Sequence, residues 1–98
     1  MNTENPVKMD SRIVRMPAIL FHELDGETVM VNLEKGEYYS LPPIGTRIWK
    51  MLESPQQVSD LCASLLLDFK VTPEQCAKDV LAFLNQMAEK GTIALVNE

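Results

Sequence analysis

Residues 25–52 read DGETVMVNLEKGEYYSLPPIGTRIWKML. Within them Val29, Val31 and Leu33 fall on one face of an extended chain and Met30 and Asn32 on the other, the period of a half-buried strand. Asp25-Gly26, just before, is a hairpin signal, because Gly accepts the positive φ that a short turn requires. Glu34-Lys35-Gly36, just after, marks a second tight turn that leads into Glu37–Leu41. Upstream, Pro17 opens a further strand over Ala18–Leu24, whose apolar residues are mixed over both faces. Two short connections joining three strands give an antiparallel meander with Thr28–Leu33 in the middle and an edge on either side. An edge strand presents unpaired N–H and C=O groups that a protein must protect or use. The edge at Glu37–Leu41 is expected to be used.

Pro42-Pro43 ends the sheet, and Pro43 suits the first turn of a helix, where its missing N–H costs nothing. Ile44, Ile48, Met51 and Leu52 then recur at helical spacing, with Trp49 read as a packing residue. Ser54-Pro55-Gln56-Gln57 and Thr72-Pro73-Glu74-Gln75 both have the form of a capping box, a hydroxyl followed by Pro and, three places on, Gln. The helix expected after Ser54 lines up Val58, Leu61, Cys62, Leu65, Leu66 and Phe69. The one after Thr72 lines up Cys76, Val80, Phe83, Leu84 and Met87, and Gly91 is placed to cap its C-terminus. Thr92–Val96 is a β-favouring tail. The order predicts an α+β fold: a three-stranded antiparallel sheet followed by three helices. The last two helices, joined by Lys70-Val71, make the arrangement winged helix-turn-helix-like.

Ninety-eight residues suffice for one domain with a modest core. Residues 1–15 are expected to be a flexible N-terminal tail ahead of a domain over 16–98. No apolar run approaches the roughly 20 residues of a membrane span, and the N-terminus lacks the apolar core of a signal peptide. Cys62 and Cys76 lie on the apolar sides of two helical patterns and read as buried thiols. Together these features predict a cytoplasmic protein without a membrane partner. A net charge of −5 argues against nucleic acid, whose affinity comes largely from neutralising phosphates with Lys and Arg. The helix after Thr72 sets Lys78 and Lys90 against Glu74, Asp79 and Glu89, a poor balance for a recognition helix. A small winged-helix nucleic-acid-binding regulator is therefore the alternative reading, not the first.

Catalytic chemistry has little to work with. His22 is the only histidine and has no partner in its pattern, no ligand cluster converges for a metal, and no Ser or Cys is matched to an activating base. No catalytic residue, cofactor or metal is expected. Strand addition, in contrast, needs only a free edge and neighbouring pockets. Tyr39 and Leu41 share one face of the third strand, and Tyr38 and Ser40 the other. Tyr39 is either core or the wall of such a pocket. Phe83 and Met87 are core candidates that can also show an edge to a groove, with Asp79, Gln86 and Lys90 as its polar rim.

The run over 25–52, the VSDL at 58–61 and the segment DVLAFLNQMAEKGTI at 79–93 together resemble the PqqD family, small recognition domains for ribosomally made and modified peptides. The resemblance extends over Ile19–Ile93 and rests on Gly-x-Tyr-Tyr-x-Leu at 36–41, on Ile48-Trp49 and on the Asp79-Val-Leu-Ala-Phe-Leu series. It implies a domain without catalysis that binds the leader of a precursor peptide as an added strand and presents it to a modifying enzyme or leader peptidase. Carried onto this chain, it implies an edge of Glu37, Tyr38, Tyr39, Ser40 and Leu41. It also implies a helix wall between Asp79 and Lys90, which includes Val80, Phe83, Gln86 and Met87. The Tyr-Tyr form looks most like the free-standing proteins of lasso-peptide clusters. Other radical SAM peptide pathways, including pyrroloquinoline quinone synthesis, come second. A monomer or weak dimer is expected.

Overall fold

In a computed structural model, which describes residues 6–96, Asp25 and Gly26 both take positive φ, 53° and 82°. That pair of left-handed residues makes a two-residue turn whose twist suits a hairpin, and Leu24 faces Glu27 across it. The elements in chain order are β1 (Arg12–Arg15), β2 (Ile19–Leu24), β3 (Glu27–Asn32), β4 (Glu37–Leu41), α1 (Pro43–Met51), β5 (Gln56–Gln57), α2 (Val58–Asp68), α3 (Pro73–Glu89) and β6 (Ile93–Leu95). β2, β3 and β4 form the expected antiparallel meander, with β3 in the middle. α1 packs against β3 and β4, and α2 packs against α3. The fold is α+β, with the expected sheet and three helices.

A second sheet, in the order β5-β1-β6, corrects the expectation of a flexible tail over residues 1–15. Residues 1–5 lie outside the described residues, but Arg12–Arg15 is the central strand of this sheet and Ile13 has no exposed surface. Its partners, Gln56–Gln57 and Ile93–Leu95, are remote in the chain, so no local pattern announces the pairing. The same segment corrects the capping box at Ser54. α2 begins only at Val58, and its first amides are satisfied by the N-terminal segment: Val58 N–H donates to the Ser11 carbonyl and Ser59 N–H to that of Met9, both at 3.0 Å. Backbone carbonyls have replaced the side-chain cap.

At α3 the cap is present in half. Gln75 N–H donates to Thr72 Oγ1 at 3.1 Å, while the Gln75 amide turns forward to Asp79 instead of back to the cap. Gly91, at φ 76°, ends the helix as expected, and Thr92 N–H reaches back to the Met87 carbonyl at 3.1 Å.

The buried side of β3 is Thr28, Met30 and Asn32, and the aliphatic row Val29, Val31 and Leu33 faces outward. Burial of Thr28 and Asn32 is tolerable because their polar groups are bonded. Thr28 Oγ1 donates to Thr46 Oγ1 at 2.9 Å, and Thr46 Oγ1 donates to the Leu41 carbonyl at 3.3 Å. The core under this sheet is built from Met30, Leu41, Ile48, Trp49, Leu65 and Leu84. Among the described residues no helix is long and apolar enough to cross a membrane.

Candidate functional site

One hydrogen bond decides which backbone groups of the meander are free. Leu33 N–H donates to the Ala18 carbonyl at 3.0 Å. In an antiparallel ladder the hydrogen-bonded pairs alternate, so Val31, Val29 and Glu27 also turn their backbone toward β2. Thr28, Met30 and Asn32 then turn theirs toward β4, where they meet Leu41, Tyr39 and Glu37. Tyr38 and Ser40 are left with N–H and C=O directed out of the sheet, since β4 is its edge. Pro42, the next outward position, has no N–H to offer. The usable edge is therefore short, with outward amides at Tyr38 and Ser40.

Side chains alternate with the backbone. Glu37, Tyr39 and Leu41 face the helices, and Tyr38, 77% exposed, stands on the outer face. Leu41 is buried. Tyr39 is half-buried: its ring packs on the core and lies under Lys90 Nζ, 4.7 Å from the ring centre, while its hydroxyl donates to Glu37. That hydrogen bond, more than burial, holds the phenol above its ordinary pKa. Tyr39 is thus both core and wall.

Across from this face stands α3. Phe83 is half-buried and fits into α1, where a Cβ on Gly45 would come within 3.1 Å of its ring tip and 3.3 Å of Leu41 Cβ. Glycine inside a helix costs about 1 kcal/mol relative to alanine; here its bare α-carbon seats the Phe83 ring against β4. Farther along, Lys35, Glu37, Gln86, Glu89 and Lys90 line an open groove of about 430 Å³.

Asn32, buried beside two of the lining residues, ties the turn before β4 to the end of α3. Asn32 Nδ2 donates to the Lys90 carbonyl at 2.9 Å, and its Oδ1 accepts from the N–H groups of Glu34 and Lys35 at 3.0 and 3.2 Å. Lys35 Nζ adds a bond to the Glu89 carbonyl at 3.1 Å. Both donors meet the C-terminal carbonyls of α3, the negative end of its dipole, and bind the β3–β4 turn to the helix.

Of the residues expected to make the site, Glu37, Gln86 and Lys90 line this groove, Tyr39 and Phe83 are half-buried beside the core, and Tyr38 and Ser40 lie on the open edge, while Leu41, 4% exposed, is core. Val80 and Met87 are corrections: at 2% and 3% exposed they are core and do not line the groove. Asp79 is exposed but accepts from Gln75 Nε2 at 2.8 Å near the start of α3, two turns before Gln86 and away from the groove lining. Sequence reasoning missed Asn32, Lys35, Gly45 and Glu89. Lys35, in a turn, and Glu89, at the end of α3, carry no pattern of their own. Asn32, a polar residue in the strand's alternation, was the available signal.

Other chemistry is sparse. Among the described residues no group of three or more His, Cys, Asp and Glu could hold a metal ion. Cys76 Sγ points to the Cys62 carbonyl at 3.9 Å, and burial, with Cys76 alongside, pushes the Cys62 thiol up to about 11, so it is protonated at neutral pH.

The sequence matches the family described as Coenzyme PQQ synthesis protein D (PqqD) over residues 27–93, which run from β3 into β6. Two solved structures share the fold. One, TbiB1 in complex with the TbiA(beta) leader peptide, is 24% identical with a TM-score of 0.80, and the match covers 87% of this chain and 99% of that one. The other, a lasso peptide synthetase B1 complexed with the leader peptide, is 20% identical with a TM-score of 0.69, covering 84% and 96%. No curated protein matches the sequence at a significant level. With more than half of its 98 residues inside the family match, this chain belongs to the PqqD family.

Proposed function

We propose that this protein binds the leader segment of a ribosomally made precursor peptide as an added strand on β4, and presents it to a processing enzyme without catalysing the modification itself. The observation that carries the reading is the short free edge at Tyr38 and Ser40 running beside an open groove under α3. Leader residues opposite Tyr38 and Ser40 exchange backbone hydrogen bonds with them and set the register. Those opposite Glu37, Tyr39 and Leu41 send their side chains between β4 and α3, where apolar contact with Tyr39 and Phe83 supplies most of the affinity and the charged groove takes polar groups. Both similar solved structures hold a leader peptide, which favours a lasso-type pathway for this chain. Other radical SAM pathways, with pyrroloquinoline quinone synthesis among them, come next, in keeping with the family match. The partner is a modifying enzyme or leader peptidase, and the cytoplasm, where precursor peptides are translated, is the compartment this role requires.

The test is a pair of proline variants titrated with the synthetic leader of the precursor encoded beside the gene. Ser40→Pro removes an outward N–H, so the fold should survive by circular dichroism while affinity falls at least about tenfold, the equivalent of 1.4 kcal/mol. Tyr39→Pro removes an inward ladder bond and should damage the fold itself. A folded Ser40→Pro variant with unchanged leader affinity would exclude this edge.

A further inference from the structure

The sheet has a second open edge, β2, on the far side of β3 from β4. The Leu33 to Ala18 bond that orients the ladder also orients this strand. Leu20, His22 and Leu24 turn their backbone inward, and Phe21 and Glu23 direct N–H and C=O to the outside. Every side chain from Leu20 to Leu24 is exposed. The strand contains no Pro or Lys, and its register with β3 runs without a bulge, so its only charged guard against edge pairing is Glu23.

The two faces of β2 carry different chemistry. On the outer face stand Leu20, His22 and Leu24, beside the exposed aliphatic row of β3. On the inner face the Arg15 guanidinium lies over the Phe21 ring, 4.6 Å from its centre, with Nε and Nη2 donating to the Trp49 carbonyl at 3.1 and 2.6 Å. Two residues along, Glu23 pairs with Lys50 at 2.9 Å. Cation and carboxylate are thus offset by one step of the same face.

We infer that β2 pairs antiparallel with β2 of a second copy about a twofold axis at His22. In that register Phe21 of each copy lies opposite Glu23 of the other, and their outward N–H and C=O groups exchange hydrogen bonds. Each Glu23 carboxylate then arrives beside the Arg15 that covers the opposing Phe21, and the contact occurs twice by symmetry. On the outer face Leu20 meets Leu24, also twice. The neighbouring registers fail on charge: an axis at Phe21 brings Arg15 toward its own copy, and an axis at Glu23 sets two carboxylates face to face. Like charges opposite one another destabilise a strand pair. The dimer leaves both β4 edges open, so it does not depend on the reading of β4. A strip two strands wide is small beside the about 1,600 Å² of a standard stable interface, and the association is correspondingly weak.

Sedimentation equilibrium of the full chain, from about 10 μM to about 1 mM, tests this. The expected result is a monomer–dimer equilibrium within that range. Leu20→Glu should weaken it at least about tenfold by placing a carboxylate against Leu24, and Glu23→Gln should weaken it several-fold by removing the charge that faces Arg15. Both positions are exposed, so both variants should keep the wild-type circular dichroism. Ser40→Pro, on the other edge, should dimerise like wild type. A monomer throughout the range overturns the inference. So does a dimer indifferent to both β2 variants, or one abolished by Ser40→Pro.

Discussion

Asn32 is enclosed between the sheet and the end of α3, and its amide serves three backbone groups: the Lys90 carbonyl and the N–H groups of Glu34 and Lys35. Asn32→Ala strands these groups, and a buried polar group left without a partner costs about 1–3 kcal/mol. Urea unfolding should show a loss in that range, with leader affinity falling as well because the β3–β4 turn is no longer bound to the helix. Truncating half-buried Phe83 and buried Met87 distinguishes a site role from a core role. Met87→Ala should cost about 2–5 kcal/mol, the range for a buried side chain of that size. Phe83→Ala, at a half-buried site, should cost less stability than Met87→Ala yet at least about tenfold in leader affinity; the opposite ranking would move Phe83 into the core. At this scale the sequence pointed to the aromatic and polar residues that the fold places between β4 and α3, Tyr39, Phe83, Gln86 and Lys90. It hid Gly45, whose value is the space a Cβ would fill, because a contact between α1 and α3 leaves no local pattern.

Elements with local signals read clearly, and those held by distant partners did not. The Asp25-Gly26 turn, the cap at Thr72 and the stop at Gly91 are each set by a few adjacent residues. β1 is set by Gln56–Gln57 on one side and Ile93–Leu95 on the other, and its four residues are too few to show a period. Because Ile13 is enclosed there, Ile13→Ala should lower the unfolding free energy by about 2–5 kcal/mol; a change near zero would return this segment to a loose tail. The face of β3 was ambiguous for a different reason. Hydrophobicity alone points the aliphatic row inward, but Thr28 and Asn32 find hydrogen-bond partners inside that outweigh it. Between α2 and α3, burial raises the Cys62 thiol from an ordinary value near 9 to about 11. A folded-state pKa raised in this way favours the protonated thiol, so the contribution is complete below pH about 9 and is lost as pH rises toward about 11. Thermal unfolding across that interval should fall more steeply for wild type than for Cys62→Ala, and parallel curves would show that the thiol is not enclosed.

For the molecule as a whole, the β2-β3-β4 sheet has two edges, and their surroundings differ. β4 runs beside a groove with a polar mouth and an aromatic seat. β2 runs beside an aliphatic face and an alternating pair of charges. The net charge of −5 leaves little reason to expect nucleic acid on either. The overall α+β order and the place of Glu37–Leu41 at a sheet edge were legible because turn residues and period-two patterns are local; which amides point outward was not, since it depends on the register between strands. That register gives the central claim its most direct test, residue-resolved amide hydrogen exchange with and without the leader peptide. The Tyr39 amide, already in the ladder, should be protected in both states, and those of Tyr38 and Ser40 should exchange quickly alone and slow by at least about tenfold when the leader is bound. Unchanged exchange at Tyr38 and Ser40, with new protection at Phe21 and Glu23 instead, would contradict it and place the leader on the other edge.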